Sequence, residues 1–431
     1  MCKLSNLMND TQKILESLDS VSFMLEIPLA TAQKFILEKQ GLLTNNPPKS
    51  IIGIAKRIHN IQIDTLSVVA RSHDLTIFNR FPQYQEKSVW SLLKQKKFFE
   101  QWSHGMCMMP IEEFPFYAWR TKFYDENKKH SYWEKWLIAN QKVVEDVYDY
   151  VEKNGATCGG DFKAPEGEKS QGWWDWKKEK QALEHLFNIG KLMIAFRKGF
   201  QRYFDLTERV LPANISHEPM NKEEIPDYLV KTIFSAIGLG NFEEIRQYIV
   251  SAAARVFWKN NRKNITAFLD QKVQEGILEQ VKIEGIQDTQ YILSEYLDDL
   301  NKLEDVDFSY MKLITPFDNV IRERKFLQKF WNFDYKLEAY FPASKRKYGY
   351  FVTPILDGWQ FIGRLEPKAH RKDQLLEIKS IYFEEGYEPT NDSLERLALG
   401  IQKFAEFHEC EKITIGKVFP TNYKVQIEKH F

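Results

Sequence analysis

A helix, a glycine, a strand, a second glycine and a return strand follow one another twice in this chain, with the two glycines nine residues apart each time. In the first copy the helical pattern of Glu179 to Leu186 stops at Gly190. Lys191 to Phe196 then reads as a strand, Lys198-Gly199 as a turn and Phe200 to Leu206 as the return strand. In the second copy the helix Ile265 to Glu275 stops at Gly276. Ile277 to Ile283, Glu284-Gly285 and Thr289 to Leu293 repeat the hairpin. A glycine closes a helix because it enters the left-handed region without a Cβ penalty, and a glycine between two apolar runs closes a hairpin. Each unit alone cannot bury its apolar face, so the copies must pack on neighbours. Helices upstream of each copy complete a winged-helix plan. Asn241-Phe242-Glu243-Glu244 adds a capping box, which makes Gly238-Leu239-Gly240 a turn and not a nucleotide loop.

Charge separates the two copies. Overall 60 basic and 60 acidic residues cancel, so net charge points to no partner and local clustering must decide. Trp176 to Arg202 carries a surplus of five positive charges, beside Trp173 and Trp174. Basic residues interleaved with aromatics on a helix and its wing suit a nucleic-acid backbone. Glu284 to Asp307 is acidic, so the second copy reads as structural on that side. Cys2, Cys107, Cys158 and Cys410 include no Cys-x-x-Cys pair, which argues against a zinc site or a disulfide framework and fits a reducing cytosol. His408 and Cys410 are too few for a metal centre. The sequence has no apolar run of membrane-spanning length and no signal-peptide pattern at its start.

In chain order, Leu29 to Gln40 predicts an amphipathic helix stopped by Gly41, and Ser50 a cap for a helix with Ile51, Ile54, Ala55 and Ile58 on one face. Asn60-Ile61-Gln62-Ile63-Asp64 follows. If extended, it turns Gln62 and Asp64 to one side and Ile61 and Ile63 to the other. An amide next to a carboxylate can hold and polarise one water. Asp64 also precedes Thr65 to Ala70, which reads as a helix, so it fits a plain N-cap as well. Both readings stand on the residues alone. His73 and Arg80 could meet a phosphate or lie as ordinary surface groups. Trp90 to Gln101 predicts a helix, the Met106, Met108 and Met109 run predicts core filling, and Trp133 to Val151 predicts a long helix. After Phe308 a region of short strands begins at Thr315-Pro316-Phe317-Asp318. Tyr335 to Tyr340, Tyr348 to Pro354, Gly358 to Leu365 and Leu375 to Phe383 read as strands of a small sheet or barrel. A helix at Leu394 to His408 and a last strand at Lys412 to Gly416 complete it.

Six segments in order carry a resemblance. They are Ile61-Gln62-Ile63-Asp64-Thr65 with Val69-Ala70-Arg71-Ser72-His73; Gly172-Trp173-Trp174-Asp175-Trp176-Lys177; Gly199-Phe200-Gln201-Arg202 with Leu206-Thr207-Glu208-Arg209-Val210-Leu211-Pro212; Thr315-Pro316-Phe317-Asp318-Asn319; Lys345-Arg346-Lys347-Tyr348-Gly349-Tyr350; and Gly363-Arg364-Leu365-Glu366-Pro367-Lys368. With these the chain resembles the AlkZ/YcaQ family of winged-helix DNA glycosylases over nearly its whole length. The resemblance implies an α+β fold of tandem winged-helix (helix-turn-helix) domains followed by a small C-terminal β-barrel. The expected divisions are an N-terminal helical/winged-helix unit with the Gln-Φ-Asp motif at 1–150, a second, basic winged helix at 151–225, a third winged helix at 226–307 and the barrel with its helix at 308–431. It further implies a monofunctional DNA glycosylase that needs no cofactor or metal, hydrolyses the glycosidic bond of N7-alkylguanine, unhooks interstrand crosslinks and leaves abasic sites. Gln62 and Asp64 are the expected catalytic pair, matching the YcaQ-like Gln-Φ-Asp branch. Arg71, His73, Arg80, Lys177, Lys178, Arg197 and Arg202 are the expected DNA contacts. The expected partner is double-stranded DNA with alkylated or crosslinked guanine, met by a monomer in the cytoplasm at the nucleoid and not at a membrane. Glu366, where the family usually has Asp, and the lysine-rich loop Asp161 to Lys169 depart from the pattern. A non-catalytic winged-helix DNA-binding regulator is the alternative, and would be expected to read one sequence as a symmetric dimer.

Overall fold

The structure is a computed structural model that describes residues 24–43, 47–126, 132–162, 178–248, 251–300, 302–303 and 309–431. The Gly172 to Lys177 segment lies outside the described residues. Among those described, the fold is mixed α+β. Its strands are β1 (Leu25–Ile27), β2 (Ile61–Gln62), β3 (Phe98–Trp102), β4 (Met106–Pro110), β5 (Leu192–Lys198), β6 (Gln201–Leu206), β7 (Leu239–Gly240), β8 (Leu278–Ile283), β9 (Ile286–Leu293), β10 (Lys312–Leu313), β11 (Thr353–Asp357), β12 (Gln360–His370), β13 (Leu375–Phe383) and β14 (Lys412–Phe419).

The repeated units take their shape from local chemistry. The helix Lys178–Asn188 leads into the β5–β6 hairpin, and the helix Arg262–Gln274 into β8–β9. All four repeat glycines, Gly190, Gly199, Gly276 and Gly285, have φ between 55° and 77°, a region that L side chains seldom enter. Asn241 accepts the Glu243 N–H at 2.9 Å while Glu244 reaches back to the Asn241 N–H at 2.7 Å, and so opens the helix Phe242–Tyr248. Ser50 accepts the Gly53 N–H at 3.0 Å and starts the helix Ile51–Ile58. The hairpins differ in setting. β5 and β6 form a sheet of their own, whereas β8 and β9 belong to a four-stranded sheet ordered β1-β8-β9-β7, with β1 parallel to β8.

The C-terminal strands form an open sheet ordered β10-β11-β12-β13-β14, and no closed barrel occurs among the described residues. β13 and β14 run parallel, joined through the helix Asn391–Phe407. That helix lies against the sheet through Leu394, Leu397, Ile401 and Phe404, so the apolar face is covered without closure. Other expected elements also differ, and of Tyr348 to Pro354 only the last two residues are strand, the start of β11. Trp90 to Gln101 divides into a helix Val89–Lys94 and strand β3, because Lys96 turns to φ 58° and Phe98 and Phe99 are drawn into pairing with β4. Tyr335 to Tyr340 is not a strand and ends in a 3-10 turn, Glu338–Tyr340. Thr315 to Asp318 opens two short helices, Asn319–Arg322 and Arg324–Trp331.

Two apolar clusters bracket the Gln62-Ile63-Asp64 stretch. Ile54, Ile58, Ile61, Ile63 and Met108 pack with Leu192, Ile194 and Phe204 of the first hairpin. Val69, Ala70 and Leu75 pack with Leu365, Leu376 and Phe404 of the C-terminal unit. The chain therefore crosses from one core to the other between residues 63 and 69. Burying Ile61 and Ile63 contributes about 1.5–3 kcal/mol each, enough to fix which face of this short strand turns inward.

His73 and His408 are fully buried. Burial, with the Arg71 and Arg197 cations, pushes His73 down to about 3, and burial with Arg371 does the same to His408. The folded chain thus binds fewer protons than the unfolded chain between pH 6.5 and about 3, so stability is lost as pH falls through that window. By pH 5 each histidine should cost about 2 kcal/mol. Thermal unfolding at pH 7.5 and 5 should show a clear loss at the lower pH. His408→Phe, which keeps the edge-to-face ring contacts with Phe404 and Phe407, should shrink it; an unchanged loss would contradict the assignment.

Candidate functional site

Ile61 pairs with Met108 and Gln62 with Cys107 across β2 and β4. A further ladder bond runs from the Ile63 N–H to the Met106 carbonyl at 2.8 Å. Ile61 and Ile63 are buried and Gln62 and Asp64 are half-exposed, so the strand alternation places the amide and the carboxylate on the outward side.

Asp64 does not cap a helix. Its Oδ1 accepts the Leu66 N–H at 2.8 Å, an Asx turn, but Thr65 to Ala70 stays irregular and the next helix is Ser72–Phe78. Tertiary docking overrides the helical pattern. Val69 and Ala70 sink into the C-terminal core, the Val69 carbonyl accepts from Arg371 at 2.8 Å, and Ser67 bridges to Arg71. Arg71 closes the loop with N–H bonds to the carbonyls of Thr65 at 3.0 Å and Asp64 at 3.4 Å, while its guanidinium lies 3.5 Å above the Phe200 ring. The first hairpin thus meets the Asp64 loop through one cation–π contact.

Four residues that the sequence reading missed complete the site: His104, Arg322, Gly105 and Tyr340. His104, in the β3–β4 turn, has Nε2 3.0 Å from Gln62 Oε1, and its Nδ1 lies 2.5 Å from an Arg322 N–H group. Crowding around the ring and the Arg322 cation hold His104 well below the usual imidazole range, although one side of the residue faces solvent. Gly105 lies against Gln62, where an added Cβ would stand 3.4 Å from the amide carbon and nitrogen. Tyr340, 71% exposed, comes from the C-terminal unit. Partial desolvation and the nearby Asp64 carboxylate push its hydroxyl up. A Ser-His-Gly turn between two apolar runs was the one local signal for His104; Arg322 and Tyr340 arrive from more than 200 residues away.

The Thr315 to Asn319 motif braces this site from behind. Asp318 accepts two N–H bonds from Arg80, at 2.6 and 2.9 Å, with both side chains fully buried. Arg80 also donates to the carbonyls of Gln40 and Thr76. Thr315 and Ser72 share a hydroxyl hydrogen bond at 3.1 Å. The Asn319 amide donates to the carbonyls of Ile58 at 2.9 Å and Asn60 at 3.2 Å, immediately before β2.

The expected DNA contacts divide sharply. Arg80 and His73 are 1% and 0% exposed, so neither can reach a phosphate in this structure; the ring of His73 sits edge-on to Trp90. Arg197 holds Glu100 through bonds of 2.7 and 2.6 Å with its side chain 7% exposed, which also turns it inward. Arg202 is committed to Glu184. Lys178 is exposed at its helix start, Arg71 lies at the site, and Lys177 is outside the described residues. The apparent basic surplus of this unit is thus partly spent on internal carboxylates. Among the described residues, no group of three or more His, Cys, Asp or Glu could hold a metal, and no helix is long and apolar enough to cross a membrane.

Removing one member of a buried ion pair strands the other charge at about 3–5 kcal/mol. Asp318→Asn should therefore lower the unfolding midpoint strongly. Exchange-protection measurements should show the amides of residues 58–64 loosening first; a midpoint within a degree of wild type would contradict the bracing role.

The sequence profile of a family described as AlkZ-like DNA glycosylase matches residues 55–407. Among solved structures, the DNA glycosylase AlkZ of Streptomyces sahachiroi superposes with a TM-score of 0.60 at 15% identity, covering 91% of this chain and 100% of that one. That likeness establishes a shared fold, and the matched span holds the Gln62 strand, the Asp64 loop, the His104 turn and the Asp318 brace. The chain belongs to the AlkZ-like family of DNA glycosylases.

Proposed function

We propose that this glycosylase removes N7-alkylated guanine from duplex DNA through Gln62 and Asp64, including guanine tied to the opposite strand, and leaves an abasic site. The supporting observation is a partly exposed amide at the end of β2 and a partly exposed carboxylate two residues on, in the loop that follows, while Ile61 and Ile63 are buried in the core.

The chemistry suits that arrangement. An N7-alkylated guanine is already cationic, so the C1′–N9 bond breaks with its electron pair passing to the base. No strong acid is needed on the base. The sugar becomes oxocarbenium-like, and a carboxylate close by stabilises that charge. Water then adds its oxygen to C1′ and gives a proton to Asp64, while Gln62 holds the water or the deoxyribose. Release by water and not by an amine fits a monofunctional enzyme without strand cleavage.

Openness supports crosslinked bases as substrates. A glycosylase that flips its base needs an enclosing pocket, and a base tethered to both strands cannot enter one. Gln62 and Asp64 are both partly exposed to solvent, and Tyr340, whose hydroxyl feels the Asp64 charge, is 71% exposed. Arg71 and Lys178, with the exposed Lys345 and Lys347, are the cations we assign to phosphates. The tandem winged-helix division of residues 1–150, 151–225 and 226–307 is the reading of the helix-and-hairpin units that suits this surface.

Asp64→Asn tests the assignment. On a duplex with a single 7-methylguanine, base release should fall by about 100-fold or more, while the dissociation constant for the duplex stays near that of wild type. Release at the wild-type rate would remove Asp64 from the mechanism.

A further inference from the structure

We infer that His104 is a positioning residue that fixes the orientation of the Gln62 amide, and that Arg322 fixes the tautomer of His104. The inference rests on the reading of Gln62 as part of the reaction centre. Arginine has five N–H donors and no acceptor. At 2.5 Å from Arg322, His104 Nδ1 must therefore be the bare nitrogen. A neutral imidazole then carries its hydrogen on Nε2, and that nitrogen lies 3.0 Å from Gln62 Oε1, to which it donates.

The consequence falls on Gln62. An unrestrained glutamine amide presents either its oxygen or its nitrogen to a ligand, since the two ends have the same shape. Here Oε1 is held by His104, so Nε2 and its two hydrogens are the end left for a ligand. Gly105 keeps the space beside Nε2 open. The enzyme thus offers a fixed donor beside the Asp64 carboxylate, which only accepts. A water that accepts from Gln62 and donates to Asp64 is oriented at both ends, with a lone pair left for C1′. A protonated His104 would present a hydrogen to Arg322, so the relay works only with the neutral ring.

Single-turnover release of 7-methylguanine from a duplex tests this. His104→Leu should slow release by about tenfold or more with an unchanged dissociation constant for the duplex. His104→Gln has an oxygen to accept from Arg322 and an amide to donate to Gln62, and should restore most of the lost rate. In a Gln62→Ala background, His104→Leu should add little further loss, because its effect passes through the missing amide. The inference is overturned if His104→Leu releases the base within twofold of wild type, if His104→Gln is no better than His104→Leu, or if the losses add in full. If Gln62→Ala and Asp64→Asn are themselves fully active, the reading of the site fails and this inference with it. If both are inactive while His104→Leu is unaffected, the inference alone fails.

Discussion

The buried pair of Arg80 and Asp318 is the constraint from which the rest of the site follows. Two unit charges taken out of water are stable together only when every remaining donor and acceptor is met. Each nitrogen of the Arg80 guanidinium is bonded, to Asp318 or to the Gln40 and Thr76 carbonyls. The pair joins residues 238 positions apart and so fixes the C-terminal unit against the Ser72–Phe78 helix. With Asp318 fixed, Asn319 is held under the carbonyls that precede β2 and Arg322 is placed against His104. The outward side of β2 therefore owes its geometry to a pair that never reaches solvent.

A division of labour between charge types follows. Buried cations here hold the architecture: Arg80 with Asp318, Arg197 with Glu100, Arg364 with Glu384. In the proposed reaction the chemistry is left to weakly basic and neutral groups at the surface. That suits a leaving group which is positively charged before it departs, because a cationic residue in contact with the base would oppose its binding. Arg322 donates to His104 and so acts on the amide through that ring, and Arg71 donates to a backbone carbonyl of the carboxylate loop.

Local features of the fold were legible in the sequence, and long-range ones were not. Gly190, Gly199, Gly276 and Gly285 announced both hairpins because the left-handed turn each requires is a property of a few neighbouring residues. The alternation of Ile61, Gln62, Ile63 and Asp64 was readable for the same reason. The role of Asp64 was ambiguous because an N-cap and an Asx turn make the same bond to a following N–H. Only the docking of Val69 and Ala70 on the C-terminal core decides between them. His73, Arg80 and Arg197 looked like surface groups since their partners or coverings are distant; Glu100 is 97 residues from Arg197. The expected barrel rested on alternating strands, which specify a sheet but say nothing about whether its edges meet.

The central claim is that an amide and a carboxylate on an open surface suffice to release a cationic base without enclosing it. The most direct measurement compares single-turnover release of 7-methylguanine with unhooking of a duplex crosslinked by a nitrogen mustard through two guanine N7 atoms. An open site predicts separated strands on a denaturing gel at a rate within about tenfold of methyl-base release, since the first step breaks the same bond at the same cationic purine. Rapid release of 7-methylguanine with no unhooking at all would show that the base must enter an enclosed pocket, and would contradict the account.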